Sequence, residues 1–198
     1  MKNQEIKRKI IDTTKELLRM NGYVTIKDIA DHCFINIAAV NYHFGSKEKL
    51  IEIVIKEMLD EIQAHLTTEI NQELEKVSME DFLEEVVSYV YNFVLDNAGI
   101  LSYLFLTREQ QLTSTNQLLD SFFADSAFTR LVYKNMQKNA ATNNPKELMA
   151  KYVMIFSSLA IPLFIQLVQV GNESKQIETF RDPEFKRFYL KQLLALVE

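Results

Sequence analysis

Residues 24–50 combine residue types and spacings that could bind DNA. Two short helices fit here with a tight corner between them, because Thr25 and Asp28 form a capping-box pair and Asn36 is a good N-cap. The helix that follows Asn36 carries small or apolar side chains and almost no charge. Such a helix can lie near the floor of the major groove and touch thymine methyl groups. The segment is therefore predicted to be a helix-turn-helix with a recognition helix.

This segment resembles the DNA-binding domain of the TetR family of one-component bacterial transcriptional regulators, which read roughly T-x-x-x-I-A-x-x-x-x-v-s-x-x-x-l-Y-x-H-F-x-s-K-e-x-L. The residues in register are Thr25, Ile29, Ala30, Ile35, Val40, His43, Phe44, Ser46, Lys47, Glu48 and Leu50. Two positions depart from the pattern. Phe34 replaces the usual Gly at the corner, so the corner lacks the freedom of Gly at positive φ, and Asn41 replaces the usual Tyr.

Ten residues are predicted to contact DNA. They are Thr25, Lys27, Asn36, Ile37, Ala38, Ala39, Asn41, Tyr42, His43 and Lys47. Thr25, Lys47 and Tyr42 are expected to hold phosphates, the first two at helix N-termini. Lys27 lies where the family commonly has a groove-facing residue, so it either reaches a guanine edge or a phosphate, or is simply solvated. His43 either contacts phosphate or only packs and caps.

The composition favours an all-α chain. The 198 residues are 47% hydrophobic, with only four Gly and three Pro, and alternating strand patterns are scarce. Helical spacing predicts about nine helices, arranged as a three-helix DNA-binding head and a larger C-terminal helical bundle. The predicted domains are residues 1–46, which bind DNA, and residues 47–198, which the resemblance assigns to ligand binding and dimerisation.

Local signals place the ends of the helices in this bundle. The predicted caps and stops are Gly22, Ser78, Asn97, Asn144-Pro145, Gly171 and Asp182-Pro183. The stretch from Thr113 to Asn116 is predicted to be a loop, followed by one helix to about Lys138. Pro162 lies inside a predicted helix and removes the hydrogen bond to the Ser158 carbonyl.

Charge is unevenly distributed along the chain. The net charge is −5, but residues 1–50 hold nine Lys/Arg and six Asp/Glu, whereas residues 51–198 hold thirteen and twenty-one. The basic end is expected to face phosphate and the acidic body to face solvent. The lone cysteine, Cys33, excludes an intramolecular disulfide and is expected to be buried rather than redox-active. No signal-peptide pattern opens the chain, so a cytoplasmic protein is expected.

The eighth predicted helix is apolar almost all round, and such a helix must be covered on more than one side. Either it is the central core helix, or a second subunit covers one side. TetR-like regulators dimerise through their last two long helices, so the resemblance implies the second. The predicted interface residues are Tyr152, Phe156, Leu163, Leu167, Phe188 and Leu193. A membrane span over residues 152–170 is disfavoured by the polar residues within it.

Aromatic residues of the body either fill the core or line an effector pocket, and the sequence leaves both open. The resemblance places a pocket beside the fourth helix, where His65 lies either in the pocket or on an exposed face. The predicted pocket residues are His65, Tyr89, Phe93, Tyr103 and Phe122. The acidic body favours a lipophilic, neutral or cationic effector over an anion.

These observations predict a ligand-responsive repressor that binds a palindromic operator as a dimer and is released by a small molecule. The alternative is an architectural or partner-binding DNA-binding protein of the same fold without an effector. No metal spacing, nucleophile–base pair or phosphate-binding Gly loop is present in the sequence, so neither enzyme activity nor a metal or cofactor is expected. The expected partners are duplex DNA, a second copy of the chain and an unknown small molecule, with no membrane.

Overall fold

The computed structural model describes residues 2–73, 79–106, 111–139, 142–169 and 182–197. Over these residues the chain is all-helical, as predicted. The helices are α1 Lys2–Asn21, α2 Ile26–Cys33, α3 Ile37–Phe44, α4 Lys47–Glu73, α5 Met79–Asp96, α6 Ala98–Leu106, α7 Gln111–Phe123, α8 Ala127–Asn139, α9 Pro145–Gln169 and α10 Pro183–Val197.

The described residues form ten helices rather than about nine because the stretch from 111 to 139 holds two. The loop predicted at Thr113–Asn116 is wrong, since these residues lie inside α7. The break comes later, before α8. There the Ser126 hydroxyl accepts the Thr129 N–H at 3.1 Å, and the Thr129 hydroxyl accepts the Ser126 N–H at 2.8 Å. Two Ser/Thr residues three apart thus form the cap that starts α8.

Several predicted helix ends are confirmed by their hydrogen bonds. Gly22 ends α1 at φ 69° and donates its N–H to the carbonyl four residues back, at 2.9 Å. Asn144 accepts the N–H two residues on at 3.0 Å, which places Pro145 at the first position of α9. Asp182 accepts two N–H groups of α10 in the same way, at 2.7 and 3.0 Å. The predicted cap at Ser78 and stop at Gly171 lie outside the described residues.

The helices pack into two compact units. The first unit comprises residues 1–61 and 96–121, and the second comprises residues 62–95 and 122–198. Helix α4 is continuous from one into the other. Helix α6 therefore belongs to the same unit as the helix-turn-helix, where it packs on α1, although it lies about fifty residues further along the chain. The predicted functional boundary between residues 46 and 47 stays a prediction, because packing does not show which residues bind a ligand.

In the first unit, α1 and α6 pack with their backbones in close contact at Gly99. A Cβ atom on Gly99 would lie 2.2 Å from the Leu18 carbonyl oxygen and 2.5 Å from that of Arg19. Beside this contact, the Arg19 guanidinium donates to the side-chain oxygen of the buried Asn97 at 2.9 Å. The absence of a side chain at Gly99 is what lets the two backbones come together.

The core of the second unit contains three of the predicted interface residues. Leu163 and Leu193 pack with α5 and α10 residues in one buried cluster, and Tyr152 packs with Met136 and Leu148 in another. Tyr152 also donates its hydroxyl to the Phe122 carbonyl, and burial raises the pKa of that hydroxyl. These three predicted interface side chains are at most 7% exposed. They have almost no surface to offer a partner.

Helix α9 contains Pro162, and α10 provides the hydrogen bond that this proline cannot make. Proline has no N–H, so the Ser158 carbonyl loses its usual partner within the helix. The Tyr189 hydroxyl of α10 donates to that carbonyl instead. Burial raises the pKa of Tyr189, which keeps the hydroxyl protonated as a donor. The sequence predicted the missing bond, and the structure shows which group replaces it.

Tyr189→Phe is expected to lower the free energy of unfolding by about 1–2 kcal/mol, because it leaves the Ser158 carbonyl without this donor. Pro162→Ala restores an N–H in α9, so the same change should cost much less in that background. Urea denaturation of the two single variants and the double variant, at one protein concentration, measures the difference. An equal cost in both backgrounds would show that the hydroxyl does not replace the missing N–H.

Candidate nucleic-acid interface

The first helix of the motif, α2, begins with the predicted capping box. The Thr25 hydroxyl accepts the Asp28 N–H at 3.1 Å, while the Asp28 carboxylate accepts the Thr25 N–H at 2.9 Å and its hydroxyl at 2.6 Å. These bonds lower the pKa of Asp28, so the carboxylate stays ionised at the helix N-terminus. Thr25, predicted to hold phosphate, has both of its donors engaged in the cap. Lys27 offers an exposed donor at this end of α2.

The corner between α2 and α3 adopts the left-handed conformation that suits Gly, although Phe34 occupies it. Phe34 has φ 57° and ψ 45° and is 90% exposed. A side chain in this conformation costs about 1–2 kcal/mol. Lys9 of α1 lies against the corner, donating to the Cys33 carbonyl at 2.9 Å with its ammonium 5.5 Å from the Phe34 ring centroid. Sequence reasoning missed Lys9, since nothing local links it to residues 24 positions away.

The recognition helix, α3, divides cleanly into a buried and an exposed face. Asn36 caps it by accepting the Ala38 N–H at 2.9 Å. Val40 and Phe44, four residues apart, are buried. The residues on the solvent side are Ile37, Ala38, Asn41 and Tyr42, with Ala39 half-buried. Four of the predicted α3 residues are thus exposed, and none of these four is charged.

His43 and Tyr42 differ sharply in exposure. The His43 ring is half-buried between its neighbours, with ring centroids 5.3 Å from Tyr42 and 6.4 Å from Phe44. Its Nδ1 atom is buried and has no hydrogen-bond partner among the described residues. Tyr42 is 81% exposed. Of the two roles predicted for His43, the geometry favours packing, and Tyr42 is the residue that can reach a phosphate.

Two lysines stand at the N-termini of the helices before and after α3. Lys27 is exposed in the first turn of α2, and Lys47 is half-buried in the first turn of α4. Ser46 caps α4 by accepting the Lys49 N–H at 3.3 Å. The Glu48 backbone N–H and the Ser46 hydroxyl lower the pKa of Glu48. Neither Lys27 nor Lys47 forms an ion pair with a described residue, so both ammonium groups are available to phosphates.

The predicted effector residues fall into three places. His65 and Tyr89 stack in the second unit with ring centroids 3.6 Å apart and an interplanar angle of 16°, and Phe93 lies 6.1 Å from Tyr89. Phe122 belongs to a different aromatic group of the same unit. Tyr103 belongs to the first unit. Among the described residues there is no cluster of three His, Cys, Asp or Glu side chains that could hold a metal ion.

Helices α9 and α10 leave large apolar side chains in solvent. Met154, Ile161 and Phe164 of α9 are 49%, 60% and 42% exposed, and Phe188 of α10 is 53% exposed. Phe188 is thus the predicted interface residue that is accessible. Phe156 is half-buried and packs on phenylalanines of α7, and the Leu167 side chain lies outside the described residues.

By length and composition alone, residues 145–165 of α9 would also suit a membrane span. Core helices of soluble proteins meet the same criterion.

Comparisons with known proteins agree with this architecture. Residues 10–54 match the family model described as bacterial regulatory proteins, tetR family. No curated protein matches the chain. A TetR-family transcriptional regulator from Mesorhizobium loti superposes with a TM-score of 0.69 at 14% identity, covering 100% of this chain and 95% of that one. A second from Streptomyces coelicolor gives 0.69 at 16%, covering 98% and 78%.

A third solved structure is the transcriptional regulator FadR from Bacillus subtilis in complex with stearoyl-CoA. It gives a TM-score of 0.65 at 15% identity and covers 96% of both chains. The matched segment contains the whole helix-turn-helix and the cap of α4. The helix-turn-helix region is therefore that of the tetR family, and the chain as a whole has the fold of TetR-family transcriptional regulators.

Proposed function

We propose that the protein is a repressor that binds a palindromic operator as a dimer and is released by a small molecule. The observation that carries the proposal is the set of exposed, uncharged side chains of α3, with Lys27 in the helix before it and Lys47 in the helix after it, neither in an ion pair with a described residue. Phosphate contacts orient a protein on DNA, while groups that face the groove select the sequence. Here the two lysines can contact phosphates, and the exposed side chains of α3 can face the groove. The net positive charge of residues 1–50 supports the same function.

The exposed apolar side chains of α9 and α10 support the dimer. A helix-turn-helix dimer places two recognition helices one DNA turn apart, which matches an operator with two-fold symmetry. A two-fold interface uses the same patch on both subunits, so a self-complementary apolar face suits it. A second copy of the chain would cover Ile161 and Phe164. The apolar side of α9 would then be shielded from water by protein rather than by a membrane. The protein would act in the cytoplasm.

The stacked His65 and Tyr89 rings, with Phe93 beside them, support an effector site in the second unit. Aromatic walls with one polar group suit a lipophilic molecule. The fold neighbour FadR was solved in complex with stearoyl-CoA. The apolar acyl chain of that ligand supports a lipophilic effector, but its CoA phosphates are anionic, so it does not support a neutral or cationic one. The acidic body, net −8 over residues 51–198, favours a neutral or cationic molecule. Because α4 carries His65 and runs on from the head, a ligand that favours one position of α4 would change DNA affinity.

The two lysines are expected to lose DNA binding in different ways. Lys47→Ala should weaken binding to specific and random duplexes alike and lower the salt slope by about one, because one phosphate contact is lost. Lys27→Ala should relax selection at one base pair, by about 1–3 kcal/mol if it reads guanine. Fluorescence anisotropy across a salt series measures both. Lys191→Ala, on the exposed side of α10, is the matched control.

The operator for these measurements comes from selection of a random duplex pool with the full-length protein. If Lys27→Ala loses the same affinity for operator and random DNA, Lys27 has no reading role. If no duplex binds at any salt concentration, the proposed function is wrong.

A lipophilic, neutral or cationic effector is expected to raise the melting temperature and release the operator. It must bind the DNA-free conformation more tightly than the DNA-bound one, since equal affinity shifts nothing. A thermal-shift screen followed by operator-release titration tests both properties. Tyr89→Ala should abolish the thermal shift, whereas Tyr133→Ala, another half-buried tyrosine of the second unit, should keep it. Stabilising compounds that are all anionic, or none that releases DNA, would contradict this expectation and favour a protein without an effector.

A further inference from the structure

We propose that α3 reads A·T base pairs, so that the centre of each operator half-site consists of A·T pairs recognised by Ile37, Ala38 and Asn41. The proposal rests on the proposed function, DNA binding through α3, and adds which bases are selected. It follows from which α3 side chains face solvent, what chemistry they carry, and which hydrogen-bonding groups are already used within the protein.

The direction of each α3 side chain follows from helix geometry and burial. Residues advance by about 100° around a helix. The buried Val40 and Phe44 define the inner face, so Ala38 and Tyr42 point directly away from it. Asn41 is exposed at the edge of this outer face, whereas Ile37 lies on the same side of the helix as Phe44 and is 43% exposed in the first turn. Since a recognition helix contacts bases mainly through its N-terminal residues, Ile37 and Ala38 would come closest to the groove floor.

No exposed group on α3 favours a G·C pair. Guanine is read through O6 and N7 by Arg or Lys, and cytosine through its amino group by Asp or Glu. Helix α3 contains none of these four residue types. Apolar side chains gain from contact with the thymine methyl group, which cytosine lacks. At the N-terminal end of α3, Ile37 and Ala38 can therefore discriminate only in favour of thymine.

Asn41 is the group that can read adenine. An amide bonds adenine in a bidentate manner, accepting from the amino group and donating to N7. The Asn36 side chain cannot do this while its oxygen accepts the Ala38 N–H. The exposed Asn41 amide makes no hydrogen bond with any described residue, so both its donor and its acceptor are available. The residue that replaces the usual Tyr of the family pattern thus carries the adenine contact.

The experiment begins with the sequences selected from the random duplex pool. Half-sites with a run of A·T pairs at the centre are expected, with any guanine confined to the flanks. Half-sites with G·C pairs at the centre would overturn the inference while leaving DNA binding intact. Failure to select any sequence would overturn the proposed function, so the two failures are distinguishable.

Replacing the central thymines by uracil then tests the contact itself, because uracil lacks only the methyl group. Affinity should fall about fourfold per contacted methyl group. In Ile37→Ala the thymine and uracil operators should bind more nearly equally. Uracil in the flanks, as a matched control, should change nothing. Equal binding of the thymine and uracil operators by the wild type would contradict the methyl contact and indicate that DNA shape selects the A·T pairs.

Asn41→Ala completes the test. This variant should bind the operator about tenfold more weakly and should accept other bases at one position of each half-site. Its melting temperature should be unchanged, because the Asn41 side chain is exposed. Wild-type affinity and selectivity in this variant would remove Asn41 as the adenine-reading residue.

Discussion

Gly99→Ala is expected to destabilise the protein by about 3 kcal/mol, although helix propensity alone predicts the opposite sign. Within a helix, Ala is favoured over Gly by about 1 kcal/mol. At this position, however, the added Cβ would lie 2.2 Å and 2.5 Å from the carbonyl oxygens of Leu18 and Arg19. These atoms are backbone and cannot rotate away, so α1 and α6 must separate. Separation would also strain the hydrogen bond from Arg19 to the buried Asn97.

Gly45→Ala is the matched control for this change. Gly45 has φ 79°, and a Cβ there would meet only the end of the Lys49 side chain at 3.9 Å. Its expected cost is about 1–2 kcal/mol, from backbone strain alone. Urea denaturation of both variants at one protein concentration gives the comparison, and the Gly99 variant should also melt about 6–12 °C lower than the wild type. Equal or greater stability in Gly99→Ala would mean that α1 and α6 do not approach as described.

The features that the sequence predicted correctly depend on neighbours in the chain. The Thr25–Asp28 capping box, the Asn36 cap, the Asn144 cap before Pro145 and the positive φ of Gly22 each involve residues within four positions. Such hydrogen bonds depend on residues that are close in the sequence, so the sequence alone predicts them.

The features that the sequence did not predict join distant residues. Lys9 contacts the corner at Phe34, Gly99 contacts the end of α1, and Tyr189 replaces the bond lost at Pro162. No local pattern marks these pairs. A Gly within the apolar α6 was the one available signal, since such a residue often marks a close approach of backbones. Its partner could not be identified without the packing of α6 against α1.

The predicted dimer interface shows what the spacing of apolar residues cannot predict. When a helix is apolar on all sides, as α9 is, its sequence does not indicate which side packs in the core of its own subunit. The stripe that contains Tyr152 and Leu163 was assigned to the partner, but these side chains are buried within the subunit. The exposed apolar residues lie on the other side, at Met154, Ile161 and Phe164. The residue of α9 on which the dimer is best tested is therefore Ile161.

Ile161→Glu is expected to convert a dimer into folded monomers and to weaken operator binding at least 100-fold. Ile161 is 60% exposed in the single subunit, so a charge there leaves the subunit fold nearly undisturbed, within about 0.5 kcal/mol. In a two-fold interface the same charge enters from both subunits and meets an apolar surface, which is costly because neither carboxylate is paired. Once the subunits separate, the two DNA-binding heads no longer bind the two half-sites together. The gain in operator affinity from linking them, about 10²–10⁴-fold, is lost.

Leu163→Glu, two residues further on, separates this interpretation from a general loss of structure. Leu163 is 7% exposed and packs in the core of the second unit, so its replacement should unfold or precipitate the protein. Ile161→Glu should instead keep the helical circular dichroism of the wild type while sedimenting as a monomer at micromolar concentration. Half-site binding by this monomer should persist at the affinity of a single head. A wild type that sediments as a monomer, or an Ile161→Glu dimer with full operator affinity, would show that this face of α9 is not the interface.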